Sequence, residues 1–110
     1  MTPPLDVLVF YSPVESTEDV LAAVFAAGAG AIGDYRECAF VTRGTGRFRP
    51  VGEANPTIGV VGDLEKVAEH RVELVLDPTL RADVVTALRA AHPYEEPAFH
   101  ILEAADPDAG

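Results

Sequence analysis

The chain opens on Leu5-Asp6-Val7-Leu8-Val9-Phe10-Tyr11, apolar enough on both alternating sets of positions to predict a central strand, which Pro13 ends. Ser16, with Asp19 three residues later, has the spacing of a capping box, and Val20, Leu21, Val24 and Phe25 follow as one apolar helical stripe. Gly28 and Gly30 close that helix, because glycine accepts the left-handed conformation of many helix ends. Residues 35–43 read as a second strand with Cys38, Phe40 and Thr42 on one face. The alternation is sharpest over residues 65–76: Ala68, His70, Val72, Leu74 and Leu76 fall on one side. Glu69, Arg71 and Glu73 fall on the other, which is expected to meet water or a partner. Asp77-Pro78 is an N-cap followed by a first-turn proline, and the next helix sets Leu80, Val84, Leu88 and Ala91 on one face before stopping at His92. Residues 98–103 form the last strand.

The resulting order, β-α-β-β-α-β, predicts an α+β ferredoxin-like sandwich: four antiparallel strands with two helices on one face. The uncovered sheet face is expected to pack against another subunit. The length fits one domain over residues 1–110, with its core at about 5–103 and flexible ends at 1–4 and 106–110. One connection is anomalous. Residues 44–64, between the second and third strands, far exceed the usual ~4–6 residues and are rich in glycine and proline. Phe48, Val51 and Ile58 supply apolar anchors, so an ordered loop, with a short hairpin, is expected. Gly44-x-Gly46 lacks the third glycine and the following helix of a phosphate loop, which leaves backbone freedom as the reason for these glycines.

Eight basic against eighteen acidic residues give a net charge of −10, which opposes binding to a nucleic-acid backbone. Seven of the eight basic residues are arginine, and Arg36, Arg43, Arg47 and Arg49 lie close together in sequence, leaving a local site for a small anion. The single cysteine excludes an intrachain disulfide. No apolar run approaches the ~20 residues of a membrane span, and no secretory signal is visible, so a cytoplasmic location is expected.

His92-Pro93-Tyr94-Glu95-Glu96-Pro97 concentrates an imidazole, a phenol and two carboxylates between two prolines that stiffen the backbone. As structure, His92 caps the helix C-terminus, favoured there as an imidazolium. As function, Tyr94, Glu95 and Glu96 contact a cation or a neighbouring chain. Adjacent glutamates in an extended segment point apart, which argues against paired glycosidase carboxylates. Cys38 and His70 have bland readings as core residues. If the second and third strands pair symmetrically about the loop, however, the two face each other and could hold copper or zinc with help from His92.

Residues 28–40, Gly44-x-Gly46-x-Phe48-x-Pro50, Asn55-Pro56-x-Ile58-Gly59, Glu65 with Glu69 and Glu73, and His92 to Phe99 resemble the core of the inserted domain in Nif-three-like (YqfO-type) proteins. The last motif also resembles the CutA divalent-cation-tolerance family. Both are ferredoxin-like and related in shape to the trimeric PII signalling proteins, so the resemblance implies a stand-alone CutA/PII-like domain. The histidine-rich ligand motifs of the dinuclear metal hydrolases in full-length relatives have no counterpart in these residues.

Three functional classes follow. The first is a non-catalytic homo-oligomer, a trimer by resemblance, binding a small ligand through Gly44, Gly46, Arg47, Arg49, Asn55, His92, Tyr94, Glu95 and Glu96. The second is a CutA-type protein binding a divalent metal through Cys38, His70, His92 and the glutamates. The third, an enzyme, has no complete catalytic constellation visible in the sequence.

Overall fold

A computed structural model describes residues 4–109. Its strands are β1 (Asp6–Pro13), β2 (Phe40–Phe48), β3 (Glu65–Leu76) and β4 (Phe99–Glu103), and its helices are α1 (Thr17–Ala26) and α2 (Arg81–Ala91), each preceded by a single 3-10 turn. The four strands form one sheet in the order β2-β3-β1-β4, with all three pairings antiparallel. This is the ferredoxin-like α+β arrangement expected from the order of elements. Of the ends expected to be flexible, residues 1–3 and 110 lie outside the described residues, and Asp106 to Ala109 form a turn closed by bonds to Asp106.

Period-two alternation puts Leu8 and Phe10 of β1 beside Val72, Leu74 and Leu76 of β3, on the face that both helices cover. Val20, Leu21 and Val24 of α1 and Val84 and Leu88 of α2 complete this core. Each fully buried Phe, Leu or Val contributes about 1.5–3 kcal/mol relative to exposure. At one end of the sheet Asp6, almost wholly buried, accepts two bonds from Arg81 at 2.7 and 2.9 Å, tying β1 to α2.

α1 does not start as the sequence suggests. The Ser16 side chain makes no capping bond. Thr17 Oγ1 instead ties the start of the helix to the sheet, within 2.8 Å of Ser12 Oγ, 2.7 Å of His70 Nδ1 and 3.3 Å of the Pro13 carbonyl. Asp77 does cap as expected, accepting from the Thr79 amide at 2.9 Å.

β2 is displaced from its expected position. It runs Phe40–Phe48 and not 35–43, because Gly33 (φ 54°) and Glu37 (φ 59°) turn the chain through an Ile32–Tyr35 bridge before the strand begins. The start of the presumed loop, residues 44–48, is therefore strand, and the irregular connection is residues 49–64. The register changes with it. Phe40 faces Glu73 and Arg43 faces His70. Cys38 precedes β2, where its amide bonds the Gly30 carbonyl. The expected facing pair of Cys38 and His70 is thus corrected: the pairing is centred elsewhere, and His70 is hydrogen-bonded to Thr17.

Candidate functional site: a cleft between the long loop and the proline-bounded bend

α2 ends at Ala91 because Pro93 forces His92 into extended geometry (φ −72°, ψ 135°). His92 is only 6% exposed. Its Nδ1 accepts from the Tyr94 amide at 3.1 Å, so Nε2 carries the proton and donates to the Tyr11 carbonyl at 2.6 Å. Both nitrogens are occupied in the neutral ring. Burial lowers the His92 pKa, against smaller opposing effects of the Tyr11 carbonyl and Glu69. The expected imidazolium cap and metal ligand is therefore corrected: His92 is a neutral fastener between the bend and β1.

That fastening aims Tyr94 over the open face of the sheet, edge-on to Phe48 at 5.7 Å. The Tyr94 hydroxyl donates to Glu69 Oε2 at 2.9 Å. Burial first, then the Glu69 bond and charge, push the phenol pKa far above its ordinary value, so it remains a proton donor. Glu69, on the side expected to meet water or a partner, is only 9% exposed. Gly46 explains how the strand accommodates it: a Cβ there would collide with the Glu69 carboxylate. At Gly44 a Cβ would meet nothing within 4 Å, so that glycine has no such steric reason.

The loop is fastened to the bend by polar contacts. The Asn55 amide lies 3.2 Å from each Glu95 carboxylate oxygen, and Thr57 Oγ1 donates to the Pro93 carbonyl at 2.6 Å. The loop also closes on itself, with Arg49 Nη1 donating to the Gly62 carbonyl at 2.6 Å and the Gly62 amide to Pro50 at 2.7 Å. Between loop, bend and sheet lies a cleft of about 380 Å³, within the usual size range of small-molecule sites. Phe48, Pro50, Ile58 and Tyr94 give it apolar walls, Glu69 lies on its sheet side, and Arg47, Glu95 and Glu96 also border it.

The structure thus brings together Arg47, Arg49, Tyr94, Glu95 and Glu96 at one cleft, with Asn55 and Gly46 supporting it. It leaves out Cys38 and His70, and His92 lies beneath. Among the described residues no group of three or more His, Cys, Asp or Glu side chains is arranged to hold a metal ion. Sequence reasoning misses Thr57, Tyr11 and the burial of Glu69. For Glu69 the signal is the glycine of β2 beside a carboxylate of β3, legible only once the register is known.

As a whole the fold is that of the CutA1 proteins. CutA1 from Pyrococcus horikoshii superposes with a TM-score of 0.68 at 17% identity, covering 94% of this chain and 87% of that one. Sequence relatives lie elsewhere: the GTP cyclohydrolase 1 type 2 homolog of Mycobacterium tuberculosis is 54% identical over 106 residues, covering 96% of this chain. That of Bacillus subtilis is 47% identical over 100 residues, or 91% of the chain. A Bacillus cereus protein related to NIF3 superposes with a TM-score of 0.78 at 36% identity, over 94% of this chain and 26% of that one. No protein-family model matches. The chain is therefore homologous to the NIF3-related proteins across one domain's length and shares its fold with CutA1. It spans 28% and 27% of these two curated relatives. Among the described residues no helix is long and apolar enough to cross a membrane.

Proposed function

We propose that this domain is a non-catalytic binding module that acts as a cytoplasmic homo-oligomer and takes a small ligand in the cleft between residues 49–64 and the 92–97 bend. The observation carrying this reading is the double tether of Asn55 to Glu95 and Thr57 to Pro93, which holds a long connection open over a cleft of about 380 Å³. A pre-formed cleft with apolar walls and a few aimed polar groups is what small-ligand recognition requires. The anionic version of the ligand leans on Arg47, since the Arg49 guanidinium is turned to the Gly62 carbonyl.

Self-association is supported by the face without helices. There Phe40 is 68% and Leu102 55% exposed, on the same side as Val7, Val9 and Val75. β2 is an edge strand with no buried residue, a surface that proteins usually cover. A homotrimer closes such a face with three equivalent contacts. Light scattering across a range of concentrations is expected to give three subunits, and a concentration-independent monomer defeats the oligomer. Ala98 also lines the cleft, and a thermal-shift screen of small metabolites is expected to give hits that Ala98→Trp, which fills it, abolishes. A screen whose hits all survive that substitution, or that gives none, removes the cleft from the reading.

A further inference from the structure

We propose, resting on the cleft reading above, that the ligand is a small organic cation. Its ammonium or guanidinium group sits against Glu69 Oε1, and its apolar body lies between Phe48, Tyr94 and Ile58.

Glu69 is the residue on which this ligand class rests. Its side chain is about nine-tenths buried, yet it forms no ion pair among the described residues. Tyr94 occupies Oε2, whereas Oε1 lies over the bare backbone of Gly46 with no donor described for it. Buried carboxylates are ordinarily paired or multiply hydrogen-bonded. Glu69 borders the cleft, and its Oε1 is not sealed off, since no fully buried side-chain nitrogen or oxygen among the described residues lacks a partner. An incoming cation would supply the missing partner, and the low-dielectric walls would strengthen that attraction.

The surroundings agree in sign. Glu95 and Glu96 border the same cleft, and the Glu15 charge also reaches the Tyr94 phenol. Arg47 and Arg49 also border the cleft and keep their charges, but they are two against the three carboxylates of Glu69, Glu95 and Glu96. Arg49 is directed at the Gly62 carbonyl, and strand alternation starts Arg47, opposite Lys66, from the face of β2 away from Gly46 and Phe48. Two aromatic rings at the cleft, Phe48 and Tyr94 at 5.7 Å, offer the negative faces that cations favour. Neutral His92 behind Tyr94 adds no opposing charge.

The probe is tyramine, an aromatic amine, titrated calorimetrically into the full chain beside its neutral counterpart 4-ethylphenol and its acidic counterpart 3-(4-hydroxyphenyl)propionate. Tyramine is expected to bind the wild type at least about tenfold more tightly than either, the scale of one hydrogen bond to a charged group. Glu69→Gln, which keeps an acceptor for Tyr94, should remove about that preference, and Ala98→Trp should abolish binding. The three-probe comparison on wild type stands even where a variant fails to fold. Preference for the acid overturns the cation and leaves the cleft reading intact. Absence of binding by all three, with the screen hits indifferent to Ala98→Trp, overturns both. Wild type blind to amines while Glu69→Gln changes the subunit number would mean that a neighbouring copy fills the cleft, which also overturns the proposal.

Discussion

On the helix side of β3, Val72, Leu74 and Leu76 are covered by apolar residues of α1, α2 and β1, and burial needs no directed bond. On the other side of the same strand, Glu69 is covered nearly as well, but by a phenol, a proline-rich loop and a glycine that makes room. The first face is buried by pattern and the second by fitted partners. Apolar burial tolerates small shifts of its neighbours, whereas a buried carboxylate depends on each group that meets it. The stable half of the domain and its candidate binding half therefore share a strand but not a mode of stabilisation.

Substitutions on the two faces should separate these modes. Phe10→Ala, on the helix side, is expected to destabilise by about 3–5 kcal/mol in urea unfolding, through lost transfer energy and a cavity. Tyr94→Phe removes the one donor described for Glu69 and should cost about 1.5–3 kcal/mol, with the fold otherwise retained. If Glu69 is buried by fitted partners, Gly46→Ala should expel its side chain and cost about 1–3 kcal/mol. Gly44→Ala, two residues away on the same face, should stay within about 0.5 kcal/mol. Equal effects at the two glycines would erase the distinction between the faces.

A pH series sharpens the same comparison. His92 has a folded-state pKa below its ordinary 6.5, so the unfolded chain takes up the proton first as pH falls. Its contribution to stability is complete above pH 6.5 and declines as acidification proceeds below that value toward and through the folded pKa. Denaturation curves of wild type should weaken over that range more than those of His92→Gln. Glu95→Gln is expected to cost less than about 1 kcal/mol in the same measurement, because its bonds to Asn55 are exposed.

The helix side is legible in the sequence because its signal is periodic. The pattern places β3 at residues 65–76, and both helices at their apolar stripes, since packing there follows from spacing alone. The same pattern misplaces β2, because Tyr35 to Ala39 looks extended while Gly44-Thr45-Gly46 looks like a loop. Only the Glu69 side chain lying across it explains why Gly46 belongs in a strand. The bend is recognisable from its prolines, but the state of His92 is not. That state depends on the Tyr11 carbonyl of β1, 81 positions away in the chain. Cys38 and His70 illustrate the converse: a register inferred from symmetry brings together two groups that the turn at Glu37 keeps apart.

The tethers from Asn55 to Glu95 and from Thr57 to Pro93 join positions 40 and 36 residues apart. Both tethers are exposed bonds outside the apolar core, and closing such separations costs chain entropy, so they are expected to form late, once the strands and helices they connect are in place. Weakening them should accelerate unfolding and leave the folding rate nearly unchanged, the signature of contacts absent from the transition state. On that expectation a ligand seated in the cleft would lengthen the lifetime of the native state without hastening its formation.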